Sequence, residues 1–168
     1  MDDLPALLAR YEGRRIDFKE EVSSNLYKLL SAFANTTGGT VILGVRDRDQ
    51  AVTGIDLRNN TIKVLADSIT TRVGIHPIIE THEIDGKHVL TIFVEQGRVP
   101  VAYDGRYYIR VGDTTREMFP DELREYFQQS IEWDGIAGHT HPTRSTRRRS
   151  GVSLPWQRRQ PPHHDRTQ

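Results

Sequence analysis

The sequence predicts an α+β fold, with one compact domain in which about four helices pack against a mostly antiparallel mixed sheet. Segments with helical spacing of apolar residues and segments that alternate apolar and polar residues follow one another irregularly, unlike the strand–helix alternation of a parallel α/β fold. Two Asp-Gly dipeptides, at 85–86 and 104–105, each lie between extended segments and are typical of tight antiparallel hairpins. The 168 residues suffice for one domain with a sizeable core.

The first third of the chain predicts a helix, a strand, a second helix and a second strand. A short helix over Leu4–Tyr11 can be capped by Asp3. Residues 15–19 alternate, which places Ile16 and Phe18 on one strand face and Asp17 and Lys19 on the other. Apolar residues recur at helical spacing from residue 24 to 34, and the apolar segment 40–45 is typical of a strand covered on both faces.

The join between that helix and strand is the segment Asn35-Thr36-Thr37-Gly38-Gly39. A phosphate-binding loop of the Walker type runs from strand to helix and places a lysine after its glycines, whereas here the order is reversed and no lysine follows. We therefore interpret the glycines as a helix end that lets another backbone approach closely.

The rest of the body predicts further hairpins and two helices. Residues 51–55 are expected to return along the strand at 40–45 as a short hairpin. The later elements, in order, are a helix from Asn59 or Asn60 to Val73, strands over 78–84 and 88–94, an extended piece over 100–103, a strand over 106–111, and a helix from Pro120 with Leu123, Tyr126 and Phe127 inward.

The charge is distributed unevenly along the chain. Residues 1–138 carry 16 basic and 22 acidic side chains, a balance of −6, and residues 139–168 carry seven arginines and one aspartate, a balance of +6. This composition does not indicate a protein that is basic throughout. We expect a folded domain over 1–134 and a disordered basic tail, rich in Pro, Arg and His, over 135–168. The tail is either a nucleic-acid-binding extension or translated sequence without selected structure, as after a truncation or frameshift.

Several classes of protein are not indicated. The chain has no cysteine, which excludes disulfides and thiolate metal sites, and its seven histidines show no zinc-ligand spacing. The N-terminus lacks the features of a signal peptide, and no apolar run approaches the roughly 18 residues of a membrane span. We expect a cytoplasmic protein without membrane contact.

Three stretches, in this order, resemble the Schlafen AlbA-type domain family, whose members are described as DNA-binding domains of bacterial and archaeal regulators. The first, Glu12–Lys19, is similar to the family's E-x4-E-F-K segment, with Asp17 at the second acid. The second, Ala32–Asp47, is similar to A-F-A-N-T-x-G-G followed by an apolar strand and G-V-x-D. The third, Tyr108–Thr115, is similar to Y-I-R-x-G-x-x-T. The resemblance implies a nucleic-acid-binding regulatory domain with DNA or RNA as its partner. Many relatives continue into a winged-helix or ATPase-like region that we do not find in this sequence, so a complete transcription regulator or an ATP-dependent role is not expected of this polypeptide. A homodimer or a fusion-type partner domain is a further expected partner.

The candidate nucleic-acid contacts are Lys19, Arg106, Tyr108, Arg110 and Arg116. Arg106, Tyr108 and Arg110 share one face of their strand, while Tyr107, Ile109 and Val111 share the other, core-like face. Guanidinium groups can bind phosphates, and an aromatic ring can stack on a base or sugar. The alternative is a strand with paired surface charges.

The resemblance also carries an enzymatic alternative. In some animal Schlafen proteins a related domain is an RNA nuclease whose carboxylate triad corresponds to Glu12, Asp17 and Asp47 of this sequence. These acids would then be the catalytic residues and would hold Mg²⁺ or Mn²⁺, whereas no cofactor is expected for a binding domain. Asp17 is one methylene shorter than the family's glutamate, and the acids could instead form a solvated charged face paired with Arg15, Lys19 or Arg48. A third alternative is a protein-interaction or oligomerisation module that uses the hairpin edges.

Overall fold

The computed structural model describes residues 3–10 and 15–136. The chain divides into two units, Met1–Gly138 and His139–Gln168, and the whole second unit lies outside the described residues. Glu12 and most of the predicted tail over 135–168 therefore lie outside them too, and the disorder of that tail and the boundary at residue 134 stay predictions.

The α+β class is confirmed, with four helices and seven strands among the described residues. They are α1 Leu4–Arg10, β1 Ile16–Lys19, α2 Ser24–Ala34, β2 Gly39–Leu43, α3 Thr61–Val73, β3 Ile78–Ile84, β4 Lys87–Val94, β5 Ala102–Tyr103, β6 Arg106–Val111, β7 Thr114–Glu117 and α4 Pro120–Ile136. None of these helices combines the length and apolar content needed to cross a membrane.

The strands form two sheets rather than one. The first has the order β1-β2-β4-β3, in which β1 and β2 are parallel with α2 as their crossover and the other pairs are antiparallel. The second is the antiparallel meander β5-β6-β7. Both Asp-Gly dipeptides form the expected turns, since all four residues have φ between 51° and 71°.

The first sheet is covered on both faces, as the apolar segment at 40–45 predicts. All five residues of β2 are buried. Val41 and Leu43 contribute to the larger core with α2 and α3, whereas Ile42 packs with Leu7 of α1. Ile16 and Phe18 pack on the α1 side, so Asp17 and Lys19 lie on the opposite face of β1, as alternation requires.

The second sheet is attached to α2 through the join that follows this helix. The Asn35 side chain is 3% exposed, and its amide nitrogen donates hydrogen bonds to the carbonyl oxygens of Val101 (2.8 Å) and Tyr108 (2.9 Å) while its oxygen accepts one from the Val101 N–H (2.7 Å). The Thr36 hydroxyl accepts a hydrogen bond from the Arg110 N–H at 3.1 Å. The Ser31 hydroxyl of α2 also donates to the Val101 carbonyl oxygen at 2.8 Å, so the side chains of the join and of α2 together fix where β6 lies.

The glycines of the join act as expected from the sequence. Gly38 has φ +73°, and a Cβ added there would lie 2.7 Å from the Val94 carbonyl oxygen. A Cβ on Gly39 would lie 2.7 Å from the Phe33 ring. The chain therefore needs glycine here for a left-handed helix end and for close packing, both structural reasons.

Two local predictions are wrong, and one strand was not predicted. Residues 51–55 return beside the end of β2 but do not form a strand: Val45 and Val52 share a single antiparallel bridge, and the N–H groups of Thr53 and Gly54 both donate to the Gly44 carbonyl oxygen, where a regular ladder would pair one residue with one. The hydrophilic strand β7 was not expected, since its pairing with β6 rather than its composition makes it a strand.

The second wrong prediction concerns which face of β6 is core-like. Tyr108 is 8% exposed, whereas Val111 on the face predicted to be buried is 51% exposed. Alternation along the strand is correct, but α2 covers the face that carries Tyr108 and Arg110. The other face is covered partly by α4, where Tyr107 meets the 40% exposed Phe127 edge-to-face at a centroid distance of 5.7 Å.

Candidate functional site

A cleft of about 650 Å³ lies where β1 and α2 meet β6 and β7. All five predicted contact residues line it, together with two of the three predicted triad acids. The complete lining is Asp17, Lys19, Asn25, Lys28, Leu29, Asp47, Arg106, Tyr108, Arg110, Asp113, Thr114, Thr115, Arg116 and Glu117. The fold thus brings together side chains that the sequence separates by up to a hundred residues.

The convergence follows from the way the two sheets are joined. Asp17 and Lys19 point away from the α1 side of β1, and Tyr108 and Arg110 point towards α2 from β6. Since Asn35 and Thr36 hold β6 beside α2, the polar face of β1 and the inner face of β6 border the same space.

Asp17 is the central carboxylate of the cleft. One of its oxygens lies 3.1 Å from Nη1 of Arg110, and the other accepts a hydrogen bond from the Lys19 ammonium. The Asp17 and Arg110 side chains are 13% and 7% exposed, so this ion pair is almost fully removed from water. Such a pair is held firmly because either partner alone would be a buried, uncompensated charge.

Arg110 is further fixed by its other neighbours. Its Nη1 donates a hydrogen bond to the Thr115 hydroxyl at 3.1 Å, and its guanidinium lies 5.4 Å from the centre of the Phe33 ring. Its Nε is buried without a hydrogen-bond partner. Arg110 therefore forms part of the floor and contributes positive charge, while offering little surface for direct contact with a ligand.

Tyr108 is also recessed. Burial is the main cause that raises the pKa of its hydroxyl, so the phenol stays neutral at physiological pH and can donate a hydrogen bond. With 8% of its surface exposed, the residue does not present a free ring face for stacking.

The two remaining arginines lie on the rim and are paired with carboxylates. Arg106 lies 3.1 Å from Glu117, and both side chains are at least half exposed. Arg116 binds Glu122 through two hydrogen bonds of 2.8 and 2.6 Å and lies over the Phe119 ring. The Arg116 guanidinium, aided by the Phe119 N–H, lowers the pKa of the Glu122 carboxyl to about 2. This glutamate occupies the third position of α4 and caps it, which ties Arg116 to that helix.

Lys28 lines the cleft, although the sequence analysis did not single it out. It lies on α2 one turn after Asn25. Within residues 3–10 and 15–136, it is the one cation of the lining without a carboxylate partner. The available signal was its helical position opposite the buried leucines, but no motif marks it.

The predicted metal triad is only partly described. Asp17 and Asp47 line the same cleft, whereas Glu12 lies outside the described residues. In the part of the chain that is described, no group of three His, Cys, Asp or Glu side chains could hold a metal ion. Asp47 is exposed and makes no ion pair there, while both oxygens of Asp17 are occupied by cations.

Comparison with known proteins matches the model of the family described as Schlafen, AlbA_2 over residues 12–119. The crystal structure of the DIP2311 protein from Corynebacterium diphtheriae is 25% identical, with a TM-score of 0.59, and the match covers 73% of this chain and 31% of that one. This chain thus spans about a third of that protein's length. The solution structure of the N-terminal domain of a RecG-related protein from Nitrosomonas europaea is 20% identical, with a TM-score of 0.46, covering 71% of this chain and 95% of that domain. No functionally curated protein matches the chain.

Proposed function

Because this chain belongs to the Schlafen AlbA_2 family, we propose that it is a nucleic-acid-binding domain whose ligand occupies the cleft between β1, α2, β6 and β7. The observation that carries the proposal is the convergence of five cations, from β1, α2, β6 and β7, on one cleft. They are Lys19, Lys28, Arg106, Arg110 and Arg116.

Lys28, Arg106 and Arg116 are the direct phosphate contacts in this proposal. Lys28 has an ammonium without an ion-pair partner among the described residues, and the two arginines lie at the rim. Each arginine must break its ion pair with a carboxylate before it can bind a phosphate, and this lowers the net free energy gained on binding. Lys19 and Arg110 contribute through their positive charge at the bottom of the cleft rather than through direct contact with a phosphate. We therefore expect modest affinity that falls steeply with salt.

A binding role accounts for Asp17 more simply than catalysis does. A metal ligand must offer its oxygen lone pairs to the ion, whereas one Asp17 oxygen already accepts a hydrogen bond from Lys19 and the other is ion-paired with Arg110. In the binding domain this carboxylate orients two cations and keeps them in the cleft.

The test is fluorescence anisotropy of labelled DNA and RNA oligonucleotides with the full chain in EDTA. We expect Arg106→Ala to weaken binding, because it removes a rim cation. The matched control is Arg58→Ala, which removes an exposed, carboxylate-paired arginine that does not line the cleft. Replacing Arg147, Arg148 and Arg149 by serine in every variant suppresses non-specific binding by the basic segment. Equal effects of Arg106→Ala and Arg58→Ala would refute the cleft as the site.

The second candidate is a metal-dependent nuclease, favoured by the presence of Asp17 and Asp47 in one cleft. The same oligonucleotides are incubated with Mg²⁺, Mn²⁺ or EDTA and separated by size. Metal-dependent cleavage that is lost in Asp47→Asn and in Glu12→Gln would establish this function. Absence of both binding and cleavage would leave the interaction module as the remaining hypothesis. DNA as the preferred ligand and a regulatory role follow from the family resemblance and are part of the proposal.

A further inference from the structure

The cleft differs in shape from the surfaces that read duplex DNA. From this difference we infer that the site takes a short unpaired stretch of nucleic acid, one or two nucleotides long, with Lys28 as its phosphate contact. The inference rests on the proposed function and specifies the class of ligand.

The first argument is geometric. Direct reading of a duplex requires an element that protrudes into a groove about 12 Å wide. Here the two central side chains of β6 lie in a concavity: Tyr108 is 8% exposed and the Arg110 side chain 7%. Recessed groups cannot reach base edges inside a groove. A volume of about 650 Å³ falls instead in the range of pockets that enclose small organic ligands, about 300–1,000 Å³, and suits one or two nucleotides.

The second argument concerns the acids among the lining residues. Asp47 and Asp113 are exposed and have no ion pair among the described residues. Carboxylates repel phosphates but accept hydrogen bonds from the amino groups of bases. Unpaired bases present these donors freely, whereas pairing occupies part of them in a duplex. A cleft that mixes free carboxylates with a free ammonium therefore matches a nucleotide that offers both a phosphate and an unpaired base edge.

The third argument is the charge around the site. Residues 1–138 carry a balance of −6, so the surface outside the cleft opposes a long polyanion. A duplex presents about twice the phosphate density of a single strand along its axis and is opposed more strongly. Local insertion of one strand places phosphate beside Lys28 while keeping the remaining chain away from most of that surface.

The test measures anisotropy of a labelled 12-nucleotide strand, alone and annealed to its complement, with the full chain carrying the serine substitutions at 147–149. We expect the single strand to bind at least about tenfold more tightly than the duplex. Lys28→Ala should weaken single-strand binding by about three- to tenfold and lower the slope of log affinity against log salt by about 0.7, the effect of one phosphate contact. Lys63→Ala, which removes an exposed lysine of α3, is the matched control.

The outcomes separate the inference from the proposed function. Duplex binding that equals or exceeds single-strand binding, or equal effects of Lys28→Ala and Lys63→Ala, would overturn the inference while leaving nucleic-acid binding intact. Binding of neither oligonucleotide at low salt would refute the proposed function itself. Circular dichroism of each variant shows whether a lost interaction reflects unfolding.

Discussion

Replacing Asp17 by asparagine tests the interpretation of this residue as the buried partner of two cations. The substitution keeps the size of the side chain and one hydrogen-bond acceptor but removes the charge. Arg110, with a side chain that is 7% exposed, would then be a buried cation without a counter-charge. Breaking a buried ion pair from one side costs about 3–5 kcal/mol, and we expect the lower end, about 3 kcal/mol, because Asp17 and Lys19 keep some contact with water.

Urea denaturation followed by circular dichroism measures this loss. For a denaturant slope of up to about 3 kcal/mol/M, a loss of about 3 kcal/mol lowers the midpoint by at least about 1 M. The control is Asp56→Asn, which breaks an ion pair with Arg58 in which both side chains are more than half exposed. Its midpoint should stay nearly unchanged, since exposed pairs contribute little to stability.

A double substitution measures the interaction energy of the Asp17–Arg110 ion pair separately from the effects of the single substitutions. Asp17→Asn combined with Arg110→Met removes both charges and keeps an apolar chain over the Phe33 ring. We expect the double variant to be more stable than the sum of the two single effects by at least about 1.5 kcal/mol.

The opposite result would refute the reasoning. A carboxylate held close to other acids for a metal ion destabilises the metal-free protein through like-charge repulsion, so its neutralisation would raise stability. The refuting result is an Asp17→Asn variant that is at least as stable as the unaltered chain, together with stabilisation by Mg²⁺ of the unaltered chain alone. Asp17 would then be a metal ligand, and this would support the nuclease hypothesis.

Three further predictions concern the join and the start of α4. Asn35→Ala leaves the Tyr108 carbonyl and the Val101 N–H without this partner, while the Val101 carbonyl keeps the Ser31 hydroxyl; we expect a cost of about 2–3 kcal/mol in urea denaturation, with separate loosening of β6 visible by hydrogen exchange. Gly38→Ala should lower stability clearly more than Gly86→Ala, for which left-handed backbone strain alone predicts a loss of about 1–2 kcal/mol. Both glycines have φ above +70°, but only at Gly38 would the added Cβ lie within 3 Å of other backbone atoms. Equal losses of stability in the two variants would contradict this account. The pKa of the Glu122 carboxyl is lowered from 4.5 to about 2, so its contribution to stability is fully present above pH 4.5 and is lost as the pH falls towards 2. NMR titration of the unaltered chain should give this lowered pKa, and the Arg116→Ala substitution should return it towards 4.5.

Much of the fold could be predicted from local patterns. Helical spacing, strict alternation and the two Asp-Gly dipeptides depend on neighbours in the chain, and they located all four helices and most strands. The three motifs in order indicated the family. The polar faces of β1 and β6 could likewise be recognised as candidate surfaces, because alternation alone separates Asp17 and Lys19 from the apolar side chains between them.

What local patterns could not provide depends on contacts between distant segments. Periodicity shows which side chains share a face of β6, but it does not show that α2 covers the face with Tyr108. That contact depends on hydrogen bonds from Asn35 to Val101 and Tyr108, which lie 66 and 73 positions further along the chain. The Asp17–Arg110 pair and the inclusion of Lys28 in the cleft have the same origin. The sequence thus specified the elements and the candidate faces, because those depend on backbone geometry over a few residues. The cleft and the pairing of its charges exist only once the two sheets are joined, because burial and ion pairing depend on which surfaces meet.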